Sequence, residues 1–324
     1  MRKRIIPNTE LEVSQLCIGT MTFGDRLDQA EADRAVAAAL DHGINFFDTA
    51  DIYTIQQHGI SEEILGKALG DRRKDIVLAT KVGGPMGPNP DERGLGRVHM
   101  HQGVEDSLKR LGTDYVDLLY FHWPDRSVPM EEIVTSANDL IRQGKIRHYG
   151  ISNYTGWEVC EMILTAKSMG LEPPVAGQYV YNLLNRGIEN EVVSMLERFE
   201  MGLTTFNPLA GGMLTGKYAA GAMPAGSRFE DNPGYKARYY NDKNLGAADE
   251  LTRMAKELDM SLIHFSICWL LSRKHLTSVI LGFSSTEQLL QNMKAVEHLD
   301  KELPFEELDR MWKVLSGSLH PYHM

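Results

Sequence analysis

The chain has 324 residues, of which 43% are hydrophobic and 24% charged, a composition typical of a soluble globular protein rather than a disordered one. The net charge of -10 and the scattered Lys and Arg residues argue against nucleic acid or an anionic membrane as a partner and favour a small molecule. Cys17, Cys160 and Cys268 are too widely spaced to indicate a disulfide framework or a thiolate metal site. No apolar stretch has membrane-spanning length or forms a signal core, so we expect a cytoplasmic protein; a homo-oligomer stays open.

The first residues predict a β-hairpin, and the rest of the chain predicts eight strand-helix units. Residues 3–13 form the hairpin around a Pro-Asn-Thr turn. The first unit joins a strand at Leu16–Gly19 to an Ala-rich amphipathic helix at Gln29–Asp41. The second unit spans residues 45–70, with Ser61 as the N-cap of its helix. The later strands are predicted at 76–81, 116–121, 146–151, 175–180, 203–206 and 278–281, and the later helices at 101–111, 130–143, 155–169, 187–200, 245–259, 261–273, 285–297 and 304–316.

Strands that alternate with helices, with no linker between the units, are typical of a parallel sheet covered by helices. Eight such units predict an α/β fold, a (β/α)8 TIM barrel, in a single domain over residues 1–324. We expect the hairpin to close the bottom of the barrel and the last helices to be C-terminal additions. The Gly/Pro-rich segment 208–244 exceeds an ordinary connection in length, so we expect it to be functional.

Polar side chains follow several predicted strands at their carboxyl ends, where the active sites of barrels lie. Asp48 and Tyr53 follow the second strand, Lys81 the third and His122 the fourth. A free phenol has a pKa of about 10, so a tyrosine that donates a proton near neutrality needs a nearby ammonium to stabilise its anion. Asp48 would hold that ammonium in an ion pair, and a neutral imidazole would orient a carbonyl group. The four residues together predict proton donation to a carbonyl oxygen.

Each of these residues also has a structural interpretation. Asp48 could cap a strand end, and Tyr53 could be a half-buried packing residue. Lys81 could be a charge on the rim, and His122 could be a buried histidine with satisfied hydrogen bonds. Single polar residues at strand ends are common, so the functional interpretation depends on the four occurring together.

Several segments resemble the signatures of the aldo-keto reductase superfamily: FDTADIY at 47–53, TK at 80–81, LLYFHWPD at 118–125 and GISNY at 150–154. The resemblance extends from end to end of the chain. Two further segments, GWEV at 156–159 and FNPLAGGMLTGKY at 206–218, are most similar to the aflatoxin-aldehyde-reductase-like branch.

The resemblance implies an NADPH-dependent oxidoreductase that reduces an aldehyde, such as a sugar or other hydroxylated aldehyde, to the alcohol. It implies that Tyr53 is the general acid, that Lys81 and Asp48 tune it, and that His122 positions the substrate. We expect Trp123 to contact the substrate together with Tyr53 and His122, although Trp123 could equally be plain surface. The alternative is a nicotinamide-binding regulatory subunit without turnover, resembling the potassium-channel β subunits. That branch carries Asn where this chain has His122, so the histidine favours an enzyme.

The cofactor implied by the resemblance is NADPH, with NADH second. A Rossmann site is not indicated, because Gly94-Leu95-Gly96 lacks the third glycine of that motif. Ser152, Asn153 and Gln178 carry groups that suit the nicotinamide carboxamide, and Phe206 offers a ring for stacking, although it could be core. The other expected cofactor residues are Thr20, Met21 and Asp48 near the first strands; Asn207, Pro208, Leu209, Ala210, Gly211, Lys217 and Arg228 after the seventh strand; and Gly282, Ser284, Ser285, Gln288, Gln291 and Asn292 at the eighth helix.

Two features complicate these expectations. Many members of the superfamily carry Arg where this chain has Ser285, which places the grip on an adenosine 2′-phosphate in question. His99-Met100-His101 allows a zinc site of the kind found in some barrel hydrolases. That pair lies at a predicted helix start without paired acidic residues, so we expect no metal.

The long connections 54–60 and 83–96 could line the substrate pocket or be plain surface.

Overall fold

Eight parallel strands close into a barrel in the structure, a computed structural model that describes residues 1–54, 57–218 and 221–316. Each strand pairs with its neighbours in chain order, and the eighth barrel strand pairs with the first. The strands are buried between the barrel interior and the helices, which explains their continuous apolar sequences. The predicted (β/α)8 TIM barrel is therefore confirmed. The barrel strands are β3 (Leu16–Gly19), β4 (Phe46–Asp48), β5 (Val77–Val82), β6 (Val116–Phe121), β7 (Ile146–Ser152), β8 (Ala176–Val180), β9 (Gly202–Phe206) and β10 (Ser278–Leu281).

Helices surround the barrel and end where the sequence supplies caps. Asp28 accepts a hydrogen bond from the backbone N–H of Glu31 at the start of α1 (Gln29–Asp41). Gly112, in the left-handed conformation, ends α3 (Arg97–Leu111). The other helices are α2 (Ile60–Leu69), α4 (Met130–Arg142), α5 (Gly156–Ser168), α6 (Val192–Arg198), α7 (Arg228–Asp231), α8 (Pro233–Tyr239), α9 (Asp242–Glu257), α10 (Leu262–Leu271), α11 (Thr286–Met293) and α12 (Phe305–Ser316).

The predicted hairpin is formed by β1 (Lys3–Ile5) and β2 (Glu12–Ser14), which pair antiparallel. Ile6, Leu11 and Val13 are buried and pack with side chains that point into the barrel. The hairpin therefore closes the end of the barrel at which the strands begin, and the carboxyl ends of the strands stay open for a site.

Two predicted segments are wrong in their detail. The segment 208–244 is not a plain loop: it carries 3-10 turns within Ala210–Thr215, interrupted by left-handed glycines, and the short helices α7 and α8. The helix predicted at 187–200 is a 3-10 turn at Gly187–Asn190 followed by the seven-residue α6. Among the described residues, no helix is long and apolar enough to cross a membrane.

Candidate active site

Three of the predicted catalytic groups converge at the carboxyl ends of β4 and β5. Asp48 is the last residue of β4, and Lys81 lies on the neighbouring strand β5. Lys81 Nζ donates to Asp48 Oδ1 at 2.5 Å, to the Tyr53 hydroxyl at 2.9 Å and to the Thr49 carbonyl oxygen at 2.8 Å. An ammonium has three hydrogens, so all of its donors have partners. Lys81 thus bridges the carboxylate and the phenol.

Burial and charge together set the protonation states of this cluster. Burial acts to lower the pKa of the Lys81 ammonium, but Asp48 and then Tyr53 oppose it and hold the pKa above its ordinary value. Burial raises the pKa of Asp48, whereas the charge of Lys81 lowers it. Burial also raises the pKa of Tyr53, outweighing the lowering effect of Lys81. The phenol is therefore protonated at neutral pH, as a proton donor must be.

His122 follows β6 and lies beside the phenol. Its ring contacts the Tyr53 ring edge-on, with 6.0 Å between centroids, and stacks on the Trp123 ring at 3.9 Å. Burial, with the charge of Lys81, lowers the pKa of His122 well below its ordinary value, so the imidazole is neutral. Within the described chain, its Nδ1 is buried and has no hydrogen-bond partner. The structure thus brings together all four residues that the strand ends predicted.

A cavity of about 760 Å³ lies between the segments that follow β5 and β6, and the residues that line it do not include the four of this cluster. Trp123 is 42% exposed, lines the cavity and stacks on His122, so the indole connects the cavity to the catalytic cluster. The segment 83–96 supplies much of the remaining wall, and its role in binding substrate stays a prediction. The volume is that of a small-molecule site.

The residues predicted to hold the nicotinamide lie at the same rim and already hydrogen-bond to one another or to the catalytic cluster. Ser152 Oγ donates to the Gln178 carbonyl oxygen at 2.8 Å, and Asn153 Nδ2 donates to the His122 carbonyl oxygen at 3.1 Å. The Gln178 amide nitrogen donates to Asp48 Oδ2 at 2.7 Å. Gln178 therefore orients the carboxylate that holds Lys81, a contact that sequence reasoning missed.

Other rim residues of the cofactor prediction differ in exposure. Thr20 is buried, and its hydroxyl lies 2.8 Å from Ser61 Oγ, so its side chain holds α2 against the barrel. Met21 is 39% exposed. Phe206 is half-buried at the end of β9 and packs against the interior cluster. A role for these residues toward a nicotinamide stays a prediction.

The segment after β9 forms a tight turn that presents two cations. Asn207 anchors the turn, since its Oδ1 accepts from the Gly211 N–H at 2.7 Å and its Nδ2 donates to a tyrosine hydroxyl. Pro208 and Leu209 lead into a left-handed run at Ala210, Gly211 and Gly212. Lys217 and Arg228 pack over aromatic rings. Among the described residues, neither cation forms an ion pair, so both are available to an anion.

The start of α11 has its backbone donors filled by side chains. The Thr286 N–H donates to Glu31 Oε1 at 2.7 Å, and the Gln288 N–H donates to Ser285 Oγ at 3.2 Å. The Ser284 N–H donates to the Gln288 side chain at 2.6 Å. A carboxylate from α1 thus lies at the helix end that a phosphate would prefer, and Gly282 and Gln291 are exposed nearby.

Asp48, Tyr53, Lys81 and His122 are called the tetrad below. Two buried acids near the tetrad were not predicted as part of the site. Ser61 was expected to cap α2, but the helix begins after Gly59, and Ser61 and Glu62 lie inside it, facing the barrel. Glu62 is buried, accepts from Thr80 Oγ1 and pairs with Arg110. Asp51 is also fully buried. The sequence did not indicate that Glu62 is buried, because acids in the first turn of a helix usually lie in solvent, where they interact favourably with the helix dipole.

The His-Met-His segment forms part of a helix. His99 and His101 lie on α3, and burial lowers the pKa of each. In the part of the chain that the structure describes, no group of three His, Cys, Asp or Glu residues could hold a metal ion.

Comparison with known proteins decides the family. The sequence model of the aldo/keto reductase family matches residues 15–313. The chain belongs to this family. The aldo/keto reductase is 38% identical over 98% of its length to a probable voltage-gated potassium channel subunit beta of Oryza sativa subsp. japonica, of which 97% is covered. It is also 37% identical to an uncharacterized oxidoreductase of Bacillus subtilis (strain 168), over 94% of each chain.

Members of the aldo/keto reductase family generally use NAD(P)H, and the residues of this chain fit such a group. Asn292 on α11 is 1% exposed, yet neither its amide nitrogen nor its oxygen has a partner among the described residues. A buried amide with one donor group and one acceptor group left over suits a heteroaromatic ring such as adenine. Lys217 and Arg228, which form no ion pair among the described residues, suit a pyrophosphate.

Proposed function

We propose that this aldo/keto reductase reduces aldehydes to alcohols, with NADPH as the preferred cofactor. The observation that carries the proposal is the Lys81 ammonium, which lies 2.5 Å from a buried carboxylate and 2.9 Å from the Tyr53 hydroxyl. A tyrosine that only packs in the core does not require a buried, fully hydrogen-bonded ammonium beside its hydroxyl. Such an arrangement stabilises a phenolate as it forms.

The side chains have distinct proposed roles in the proton transfer. Tyr53 donates its proton to the carbonyl oxygen as negative charge develops there. The ammonium of Lys81 stabilises the resulting phenolate, and Asp48 keeps that ammonium charged and in place. Neutral His122 donates a hydrogen bond that holds the carbonyl oxygen near the phenol. A bound reduced nicotinamide supplies the hydride to the carbonyl carbon in this chemistry.

The proposed cofactor site lies along the rim from β7 to α11. Ser152 and Asn153 would hold the carboxamide, and Phe206 would stack on the nicotinamide ring. Lys217 and Arg228 would bind the pyrophosphate, and the amide of Asn292, with Gln288 and Gln291, would bind the adenine. The preference for NADPH over NADH rests on the resemblance to the aldo-keto reductases and on these cations. The negative charge of Glu31 at the start of α11 disfavours the additional phosphate of NADPH.

The proposed substrate is an aldehyde whose substituent lies in the cavity beside Trp123. Polar side chains of the wall, among them Asp91 and Arg93, suit hydroxyl groups, so we propose hydroxylated aldehydes such as sugars and a role in carbohydrate metabolism. A cytoplasmic location agrees with the free thiols of Cys17, Cys160 and Cys268. Placement in the aflatoxin-aldehyde-reductase-like branch, and any homo-oligomer, stay predictions.

The proposal is tested by replacing the proton donor. Tyr53→Phe should lower the rate of aldehyde reduction by about 10²–10⁴-fold, because the general acid is lost. The variant should still bind NADPH, measured as quenching of the protein's fluorescence when NADPH is added. Consumption of NADPH is followed by its absorbance with a panel of alkanals, aryl aldehydes and sugar aldehydes. Tyr240→Phe is the matched control, since that hydroxyl donates to the Gly221 carbonyl oxygen, outside the tetrad, and should leave turnover within about twofold. Near-normal turnover in Tyr53→Phe would refute the assignment of the acid.

A second candidate function is a nicotinamide-binding regulatory subunit of a membrane channel. It is favoured by the 38% identity to the rice relative named as a probable channel subunit. Stopped-flow absorbance with NADPH-loaded protein separates the two functions. An enzyme completes many turnovers per chain with an aldehyde, whereas a cofactor-holding subunit oxidises at most one equivalent and then stalls on slow cofactor exchange.

A further inference from the structure

Asp51 is a fully buried carboxyl group with no hydrogen-bond partner for either oxygen among the described residues. It lies between Asp48 and Tyr53 in the chain, in the turn that follows β4, yet the proton transfer proposed above does not use it. Most buried polar groups in proteins are bonded, so an isolated buried carboxyl calls for an explanation.

The charged groups around Asp51 are already paired with other residues. Glu62 on α2 accepts from Thr80 Oγ1 at 2.5 Å and forms an ion pair with Arg110 of α3 at 2.7 Å. Lys81 on β5 is committed to Asp48. A charged Asp51 would therefore be a second buried anion beside Glu62, with no cation of its own.

An uncompensated charge costs several kcal/mol when it is buried, and a carboxyl group avoids that cost by keeping its proton. Burial, followed by the negative charge of Glu62, raises the pKa of Asp51 well above its usual range, while Arg110, the nearby Ile52 N–H and Lys81 act in the opposite direction. Asp51 is therefore the acid of this cluster that favours its protonated, neutral form.

Asp51 also belongs to the segment that positions the phenol. The Thr49 N–H donates to the Ala79 carbonyl oxygen at 3.0 Å and the Asp51 N–H donates to the Lys81 carbonyl oxygen at 3.3 Å, so the segment runs along β5. Tyr53 is only two residues further on. We propose that Asp51 is a positioning residue, which keeps the Tyr53 hydroxyl on Lys81 only while its carboxyl group is uncharged.

The proposal rests on the proposed reductase activity and is tested with Asp51→Asn, a neutral residue of the same shape. At pH 7 the variant should retain at least about half of the wild-type kcat, with KM unchanged, because Asp51 contacts no substrate. The kcat of the wild type should decline on the alkaline side with a midpoint at lower pH than in the variant. Superimposable pH profiles of kcat between pH 5 and 9.5 would overturn the proposal.

Urea unfolding gives a readout that does not need turnover. A carboxyl group with a raised pKa in the folded state stabilises the protein below its unfolded pKa, and this contribution is lost as the pH rises through the folded pKa. The urea midpoint of the wild type should therefore fall relative to that of Asp51→Asn as the pH rises, and parallel midpoints would overturn the proposal. If neither protein reduces any aldehyde, the proposed function fails, while this stability difference still tests Asp51.

A second variant tests the same idea from the partner side. Glu62→Gln removes the neighbouring anion and releases Arg110, which can then pair with an ionised Asp51. The alkaline decline of kcat should shift to lower pH than in the wild type. Glu63→Gln, on the same helix and half-buried, is the matched control and should not move the profile. A Glu62→Gln profile that coincides with that of the wild type would contradict the inferred role.

Discussion

Glu31 introduces a negative charge at the start of α11, the position expected to bind the adenosine 2′-phosphate. Its Oε1 accepts from the Thr286 N–H at 2.7 Å, and its other oxygen pairs with Arg34. Glu31→Gln should tighten NADPH binding by roughly two- to fivefold and leave NADH binding unchanged, because it removes the like charge and frees a cation. Dissociation constants are measured for both cofactors by nicotinamide fluorescence.

Asp33→Asn is the control for Glu31→Gln. Asp33 is an exposed acid on the same helix and bonds to Gln29, so its loss changes the net charge without touching α11. An unchanged ratio of NADPH to NADH affinity in Glu31→Gln would mean that the phosphate binds elsewhere.

His122 makes the stability of the fold depend on pH. Its pKa in the folded state lies well below the ordinary value of 6.5, because of burial and then the charge of Lys81. Between these two pKa values the unfolded chain binds the proton and the folded chain does not, so this contribution is complete above about pH 6.5 and is lost as the pH falls. The unfolding free energy of the wild type, relative to His122→Asn, should fall by about 1.4 kcal/mol per pH unit below pH 6.5. Urea titrations at pH 7, 6 and 5 measure it, and equal slopes would contradict it.

The tetrad could be predicted at the residue scale because a parallel barrel fixes where strand ends go. Asp48, Lys81 and His122 end or follow consecutive strands, so closure of the sheet brings them to one rim. The contacts that hold the tetrad could not be predicted. Gln178 reaches Asp48 from a strand 130 positions along the chain, and no local pattern encodes a contact that only barrel closure creates.

The strands and the longer helices were predicted closely from hydrophobic periodicity, because burial in one core determines both the periodicity of the sequence and the elements that form. α1, for example, spans the predicted residues Gln29–Asp41. The segment 208–244 was predicted less well. Its helices α7 and α8 have only four and seven residues and depend on tertiary contacts such as the packing of Phe229 beneath Tyr218, not on periodicity.

The packing of α2 against α3 depends on a glycine. A Cβ added at Gly66 would lie 2.5 Å from the Leu111 carbonyl oxygen, which is backbone and cannot rotate away. Gly66→Ala should therefore destabilise the protein by about 1–3 kcal/mol, although the same change in a helix normally stabilises. Gly246→Ala in α9 is the matched control: nothing lies within 4 Å of its added Cβ, so it should stabilise by about 0.5–1 kcal/mol. Urea unfolding of both variants measures the difference, and a stabilising effect at Gly66 would show that the two helices can separate without cost.

At the scale of the whole molecule, the residues that stabilise the barrel at its closed end lie apart from the catalytic residues at its open end. The hairpin packs its buried side chains into the end where the strands begin, and the tetrad lies at the end where they finish. This division is usual for the architecture, in which one face carries the site and the other supports the fold. Changes at the hairpin should therefore alter unfolding and leave catalysis unaffected.

Leu11→Ala tests that division. Leu11 is 3% exposed and fills the closed end of the barrel, so its truncation should lower the free energy of unfolding by about 2–5 kcal/mol through lost burial and a residual cavity. The kcat and KM for an aldehyde should change less than twofold at temperatures where the variant is folded. Ile5→Ala is the control, because Ile5 belongs to the same hairpin but is 61% exposed, and should cost no more than about 0.5 kcal/mol. A large loss of kcat in folded Leu11→Ala would mean that the hairpin is coupled to the tetrad through the barrel interior, where Tyr120 and Cys17 lie between them.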